Sequence, residues 1–231
     1  EAHGSLGWIY FVYHWDWAKA EAEFKRGVEL SPNARDALSP YANFLRRMNR
    51  LEEGRRAIER CIELDPLSPL EVTEAARVYL DVGETKKAGE VFLRVSETDP
   101  DARASLLGMS QFYSRTGEWE KAIQLMERAV RIWPRDRLVL PSLGMAYVQT
   151  GRYAEARTVL QSLLTTPEIG QGAIAELYAR LGEKEEAIRW WQKAYDERDS
   201  RMVWLRLYSS DHPLWGDPRF QDLIRRMNFP R

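Results

Sequence analysis

The sequence has few of the residues that build disulfides, metal sites or histidine-based active sites. Its 231 residues include one cysteine, Cys61, so an intrachain disulfide and a cysteine-rich metal site are both excluded. The three histidines, His3, His14 and His212, lie far apart, which argues against a histidine-based triad. P-loop, dinucleotide-binding, HExxH and G-x-S-x-G motifs are all missing. We therefore predict a non-catalytic protein that needs no cofactor and no metal.

Excess charge and long apolar runs are missing as well. Lys and Arg total 34 against 35 Asp and Glu, so no overall field points to nucleic acid or a membrane surface as partner. No apolar run reaches the ~20 residues of a membrane span. With only one cysteine, these features lead us to expect a cytoplasmic protein. The start at Glu1-Ala2-His3, without a signal sequence or initiator Met, leads us to expect a fragment of something longer.

What the sequence does have is a 34-residue period. Four series of residues keep this spacing: Pro32, Pro66, Pro100 and Pro134; Gly83, Gly117 and Gly151; Tyr79, Tyr113 and Tyr147; and the small residues Ala20, Gly54, Ala88, Ala122 and Ala156. A large apolar residue follows each small one four positions later, so paired helices can approach closely. A sixth unit arrives three residues early, near Thr165-Thr166-Pro167. We predict helix pairs near 5–31, 37–65, 71–98, 104–132, 138–164 and 169–196.

The pattern resembles the tetratricopeptide repeat, whose signature is W-x2-L-G-x2-Y…A-x3-F…P. Leu143-Gly144 and Tyr147 match its first half, and Ala20-Phe24-Pro32 and Ala88-Phe92-Pro100 match its second. The resemblance implies an all-α, right-handed superhelical solenoid of antiparallel helix pairs that binds proteins or peptides. Asp217-Pro218 should begin a further helix with one apolar stripe. We therefore divide the chain into repeats, 1–199, and a capping segment with its helix, 200–231.

Both ends of the chain resemble a narrower group of proteins. These ends are similar to the C-terminal repeat regions of multidomain bacterial signalling and transcription proteins. The similar segment near the start is Trp15-Asp16-Trp17-Ala18-Lys19-Ala20-Glu21-Ala22-Glu23-Phe24. The similar segments near the end are Glu197-Arg198-Asp199, Val203-Trp204-Leu205 and Asp217-Pro218-Arg219-Phe220-Gln221-Asp222-Leu223. Those proteins carry winged-helix, adenylate-cyclase, Ser/Thr-kinase or TolB-like parts. The resemblance implies a regulatory module of such a protein.

The first helix raises a separate hypothesis. The stretch Trp8-Ile9-Tyr10-Phe11-Val12-Tyr13 is apolar almost throughout, although a terminal helix normally needs a polar outer face. We expect an upstream domain, an earlier repeat or a second copy of the chain to cover it, with interface candidates Trp8, Phe11, Val12 and Trp15. Asp16 should be an N-cap, Trp17 a packing residue, and His14 an exposed turn residue. The unit has one extra residue, which we expect in the turn.

The first helices of the pairs should supply the binding groove. Polar residues cluster there at Asn43, Arg46, Arg47, Arg77, Gln111 and Arg115, and amide and guanidinium groups suit a peptide backbone and carboxylates. The hypothesis is an extended peptide or acidic segment; the alternative is a solvated face whose arginines pair within the repeats. The resemblance to carboxylate-clamp repeats is partial, because Ser39 stands where a lysine is expected. A small-molecule site at Met145 and Val148 is a further alternative.

Overall fold

The computed structural model describes residues 2–65, 69–166 and 169–230, and every regular element in these ranges is helical. The predicted all-α class is thus confirmed. The helices are α1 (Ala2–Ile9), α2 (Trp17–Leu30), α3 (Arg35–Arg47), α4 (Leu51–Leu64), α5 (Pro69–Asp81), α6 (Thr85–Thr98), α7 (Arg103–Arg115), α8 (Trp119–Ile132), α9 (Val139–Gln149), α10 (Tyr153–Leu164), α11 (Gln171–Arg180), α12 (Lys184–Asp196) and α13 (Pro218–Arg226). A π-helical turn, Tyr10–His14, follows α1, and a 3-10 helix, Ser200–Leu207, precedes α13.

The predicted helix pairs agree with the observed ones to within about three residues at each end. Two prolines of the sequence pattern, Pro66 and Pro167, lie outside the described residues. The backbone forms two compact units, the first ending at Phe112 and the second running from Tyr113 to Phe229. The division of the chain between residues 199 and 200 stays a prediction. No helix in the described ranges is both long and apolar enough to cross a membrane.

A left-handed residue ends the first helix of each pair. After α5 this residue is Gly83, with φ of 83°, and the next N–H, that of Glu84, donates to the carbonyl of Tyr79 at 2.8 Å. This geometry satisfies carbonyls at the helix end and favours glycine, which lacks a Cβ. The first two pairs instead use Trp15, with φ of 55°, and Asn49, with φ of 59°. The glycine period therefore marks only the later turns.

The extra residue of the first pair lies in the helix and not in the turn, so our placement of it was wrong. The N–H of Trp15 donates to the carbonyl of Tyr10, as in a π-helical turn, and the N–H of Asp16 reaches the same oxygen at 3.1 Å. After this widened turn the repeat spacing resumes. Asp16 then caps α2 as predicted, because its side chain accepts a hydrogen bond from the N–H of Lys19 at 3.1 Å.

Aromatic packing fills the first unit. Phe44 lies 5.3 Å, ring centre to ring centre, from both Phe11 and Phe24, and all three side chains are fully buried. Gly7 makes this packing possible, because a Cβ there would come within 2.9 Å of the Phe24 ring. The small and large residues of the 34-residue series are buried in turn, as in Ala20 with Phe24 and Ala88 with Phe92. Cys61 is fully buried on α4.

The second unit ends in a segment that covers its last helix pair. Phe220 of α13 is fully buried and lies 6.1 Å from the ring of Trp191 on α12. Leu223 of α13 and Met202 and Leu205 of the 3-10 helix are buried beside it. Asp217 caps α13 by accepting a hydrogen bond from the N–H of Arg219 at 2.9 Å. The predicted capping helix is therefore present, and we call residues 200–229 the cap.

Candidate functional site

A row of side chains runs along the first helices of successive pairs in the first unit. Trp8 of α1, Asn43 of α3, Arg77 of α5 and Gln111 of α7 occupy equivalent positions. The last three lie 34 residues apart, and Trp8 lies 35 residues before Asn43 because of the extra residue in the π-helical turn. Trp8 was predicted as an interface residue, and its position extends the polar row by one aromatic side chain.

Hydrogen bonds join the members of this row. Asn43 Nδ2 donates to Glu74 at 3.2 Å, Arg77 pairs with the same carboxylate, and Arg77 Nε donates to Gln111 at 2.9 Å. At the other end, Arg47 donates to Asn43 Oδ1 and its guanidinium carbon lies 5.9 Å from the centre of the Trp8 ring. This is within the range of a cation–π contact. We call the set Trp8, Asn43, Arg47, Glu74, Arg77 and Gln111 the polar ladder.

Arg46 lies beside the ladder and is nearly buried. Its guanidinium pairs with Asp81 of α5 at 2.9 Å, and only 8% of the residue is exposed. Two of the predicted arginines thus have acidic partners within the repeats, Arg46 with Asp81 and Arg77 with Glu74. The alternative interpretation of the polar positions, as internally paired side chains, therefore describes part of this surface.

The ladder carries more positive than negative charge. At Arg47, the charges of Arg77 and Glu74 within the ladder act together with those of Arg46 and Asp81 beside it. Burial lowers the pKa of Arg47 to about 9, and the adjacent charge of Arg46 lowers it further in the same direction, whereas Glu74 opposes the shift. An additional anion at this place would offset the repulsion among the three cations.

The other predicted positions do not extend the ladder. Arg115 ends α7 and belongs to the second unit. Met145 and Val148 are partly buried against the core of the second unit, which includes Tyr147 and Leu177. The small-molecule hypothesis depends on an open apolar groove, and the packing of these two residues gives it no support.

The interface prediction for the first helix needs correction. Phe11, Val12 and Trp15 expose only 0%, 3% and 8% of their surface, so these three residues belong to the core. The residues exposed on α1 are Ala2, Ser5, Leu6, Trp8 and Ile9. The prediction failed because the π-helical turn rotates the residues that follow it relative to α1.

Sequence reasoning missed a buried ionisable cluster in the second unit. His212 is 3% exposed, and its Nε2 lies 3.0 Å from Glu176 of α11. The N–H of Leu214 donates to Nδ1 of His212 at 3.2 Å. The His212 ring is stacked on Tyr208 and Phe220, at 4.5 and 4.8 Å between ring centres. These contacts fix the cap to α11.

Arg180 is a second partner of Glu176. Arg180 Nε donates to the other carboxylate oxygen of Glu176 at 2.9 Å. Burial raises the pKa of Glu176, but the hydrogen bonds and charges of His212 and Arg180 outweigh this effect and leave the pKa below its ordinary value. Nearby, Asp199 accepts from the N–H of Gly172 at 3.0 Å. Glu176 and His212 are thus buried, whereas Arg180 is partly exposed. In the described part of the chain, no three His, Cys, Asp or Glu residues are grouped as a metal site.

Comparison with known proteins identifies the repeat. A family model described as Tetratricopeptide repeat matches residues 67–210, and a second model of the same description matches residues 41–66. No curated protein matches the sequence.

Solved structures show the same fold. A tetratricopeptide repeat protein from Parabacteroides merdae superposes with a TM-score of 0.71 at 14% identity, covering 98% of this chain and 83% of its own. The thermophilic TPR protein TTC0263 from Thermus thermophilus gives 0.62 at 21% identity, covering 84% and 97%. The pilF protein of Pseudomonas aeruginosa gives 0.58 at 13% identity, covering 97% and 96%. At these identities the similarity concerns the fold alone.

Proposed function

Because the chain belongs to the tetratricopeptide repeat family, we propose that it is a non-catalytic module that binds an acidic, extended peptide segment along the polar ladder. Members of this family generally mediate protein–protein interaction and are typically non-catalytic scaffolds. The observation that carries the finer proposal is the hydrogen-bonded row of guanidinium and amide groups along the ladder, in which Arg47 contacts Asn43 and Arg77 contacts Gln111. A carboxylate of the ligand would bind to these guanidinium groups.

The geometry of the ladder suits a segment rather than a single group. Its members lie on α1, α3, α5 and α7, so a ligand that follows the row crosses the first helices of four successive pairs. Asn43 and Gln111 offer amide groups that can bind peptide N–H and C=O groups. Arg47 and Arg77 between them can bind carboxylates, and the Trp8 ring, 36% exposed, offers an apolar contact at one end.

The wider setting is part of the proposal. The similarity of both ends of the sequence to bacterial multidomain regulators supports a role within a cytoplasmic signalling or transcription protein. The balanced charge of the chain, 34 basic against 35 acidic residues, argues against nucleic acid as its ligand. We propose no membrane partner either.

A peptide-binding measurement tests the proposal. The probe is a fluorescent eight-residue peptide rich in Glu, with its Gln-rich counterpart as a neutral control. Arg77→Glu should weaken binding of the acidic peptide at least about tenfold in 0.15 M salt, since a cation is replaced by an anion beside Glu74. Arg77→Gln should weaken it less, and Arg26→Glu, at an exposed site on α2, should change it by less than about twofold.

Two results would contradict the proposal. One is equal affinity of the unaltered protein for the acidic and the neutral peptide. The other is unchanged affinity in Arg77→Glu with the circular dichroism of a folded protein, which would mean that the ladder is an internal ion-pair network only.

A further inference from the structure

A second surface, distinct from the polar ladder, lies on the other side of α1. Ala2, Ser5, Leu6 and Ile9 are all exposed, and Leu6 and Ile9 expose 38% and 43% of their surface. From Ala2 to Trp15 the chain contains no Lys, Arg, Asp or Glu. An uncharged helix with exposed aliphatic residues on a second side is unusual for the outer helix of a repeat protein.

The equivalent surface of the next pair is occupied. Counting 35 residues on, these four positions correspond to Ala37, Pro40, Tyr41 and Phe44 of α3. There the preceding pair covers them: Phe24 of α2 lies 6.3 Å from Tyr41 and 5.3 Å from Phe44, ring centre to ring centre. Both surfaces thus present two small or compact residues followed by two large apolar ones.

We propose that the surface formed by Ala2, Ser5, Leu6 and Ile9 is a docking site for one further helix pair of the repeat type, whose second helix would contact α1 as α2 contacts α3. The chemistry required of this partner is that of α2, an amphipathic helix with a small residue and a large apolar residue four positions apart, such as Ala20 and Phe24. This proposal concerns a different surface from the polar ladder and goes beyond the proposed function.

A second copy of the chain does not offer this partner. In the described residues the last second helix, α12, is already covered by the cap, through the contact of Trp191 with Phe220. The second helices α2, α4, α8 and α10 are covered by α3, α5, α9 and α11, and Phe92 of α6 packs against Gly108 of α7. End-to-end stacking of copies on α1 is therefore blocked, and the partner must be a helix pair with an uncovered second helix.

The test adds such a helix pair to the full chain. A duplicate of residues 2–36, attached directly before Ala2, reproduces the 35-residue spacing between α1 and α3. The duplicate carries Leu6→Glu and Ile9→Glu so that it offers no new docking surface. Hydrogen exchange of the original residues 5–9 should slow at least about tenfold relative to the unextended chain.

Two variants of the extended protein make the result specific. Leu6→Glu with Ile9→Glu in the original α1 should abolish the slowing, because the docking surface is then charged. Leu93→Glu with Ile132→Glu, which changes two residues that are 51% and 43% exposed elsewhere, should retain it. Circular dichroism checks that both variants are folded.

Three outcomes would overturn the proposal. The first is no slowing of exchange in the extended protein. The second is equal slowing when Leu6 and Ile9 are replaced. The third is a dimer of the unextended chain, seen by light scattering at rising concentration and removed by the same two replacements, which would make a second copy the partner of this surface.

Discussion

The buried contact between His212 and Glu176 gives the sharpest stability prediction. Replacing His212 by Ala removes the imidazole partner of Glu176, a residue that is itself only 8% exposed. Loss of a hydrogen bond to a charged group costs about 1.5–3 kcal/mol. The N–H of Leu214 also loses its acceptor, at about 1 kcal/mol, and stacking on Tyr208 and Phe220 is lost.

The expected total is about 3–5 kcal/mol, similar to the removal of a buried aromatic side chain. Because the two compact units need not unfold together, the assay should be local. Hydrogen exchange of α13, residues 218–226, reports opening of the cap, and 4 kcal/mol corresponds to roughly a thousandfold faster exchange. The matched control is His14→Ala, an exposed histidine, which should change stability by less than about 0.5 kcal/mol.

A small effect would refute this reasoning. If His212→Ala accelerates exchange in α13 by less than about tenfold, the histidine contributes no more than a surface turn residue. The double replacement Glu176→Gln with His212→Ala separates the two contributions. It should cost less than the sum of the two single replacements, since an unpaired buried carboxylate is no longer present.

Four further predictions follow from single contacts. The pKa of Glu176 is lower in the folded than in the unfolded protein, where it is near 4.5. Glu176 therefore stabilises the fold fully above pH 4.5, and this contribution is lost as the pH falls through the folded-state pKa. Glu176→Gln should accordingly flatten the dependence of the free energy of unfolding on pH below 4.5, measured by urea unfolding. Asp16→Ala should cost about 1 kcal/mol in thermal unfolding by removing the N-cap of α2. Gly117→Ala should lower the free energy of unfolding by about 1–2 kcal/mol, because alanine is strained at a φ of 82°. Gly216→Ala, where an added Cβ would meet open space, should lower it by less than about 0.5 kcal/mol. Equal effects of the two replacements would contradict the assignment of strain to Gly117. Phe44→Ala should cost about 3–5 kcal/mol in urea unfolding, and a loss below about 1 kcal/mol would mean that its aromatic cluster is not the core of the first unit.

The sequence predicts those features that depend on local periodicity. The pairing of helices follows from small and large residues four positions apart, and the helix start at Asp16 follows from its side chain alone. The π-helical turn could not be predicted in this way, because one additional residue in an apolar run has the same composition whether it lies in a helix or in a turn. The burial of Trp15 and Phe11 depends on that choice.

The candidate site was predicted only in part, for a related reason. The positions of Asn43, Arg77 and Gln111 follow from the 34-residue spacing. Their mutual hydrogen bonds also depend on Glu74, which is not one of the predicted groove residues. The contact between His212 and Glu176 joins residues 36 apart across the end of the periodic region, where the spacing no longer predicts neighbours.

The position of the cap on the last helix pair determines how the number of repeats in this protein can change. Its principal contacts are with α11 and α12, so they remain available if the number of preceding repeats changes. A duplication or deletion of a whole 34-residue unit upstream would preserve the contact of His212 with Glu176 and its stacking on Tyr208 and Phe220. The number of repeats would then differ while the cap kept its contacts with α11 and α12.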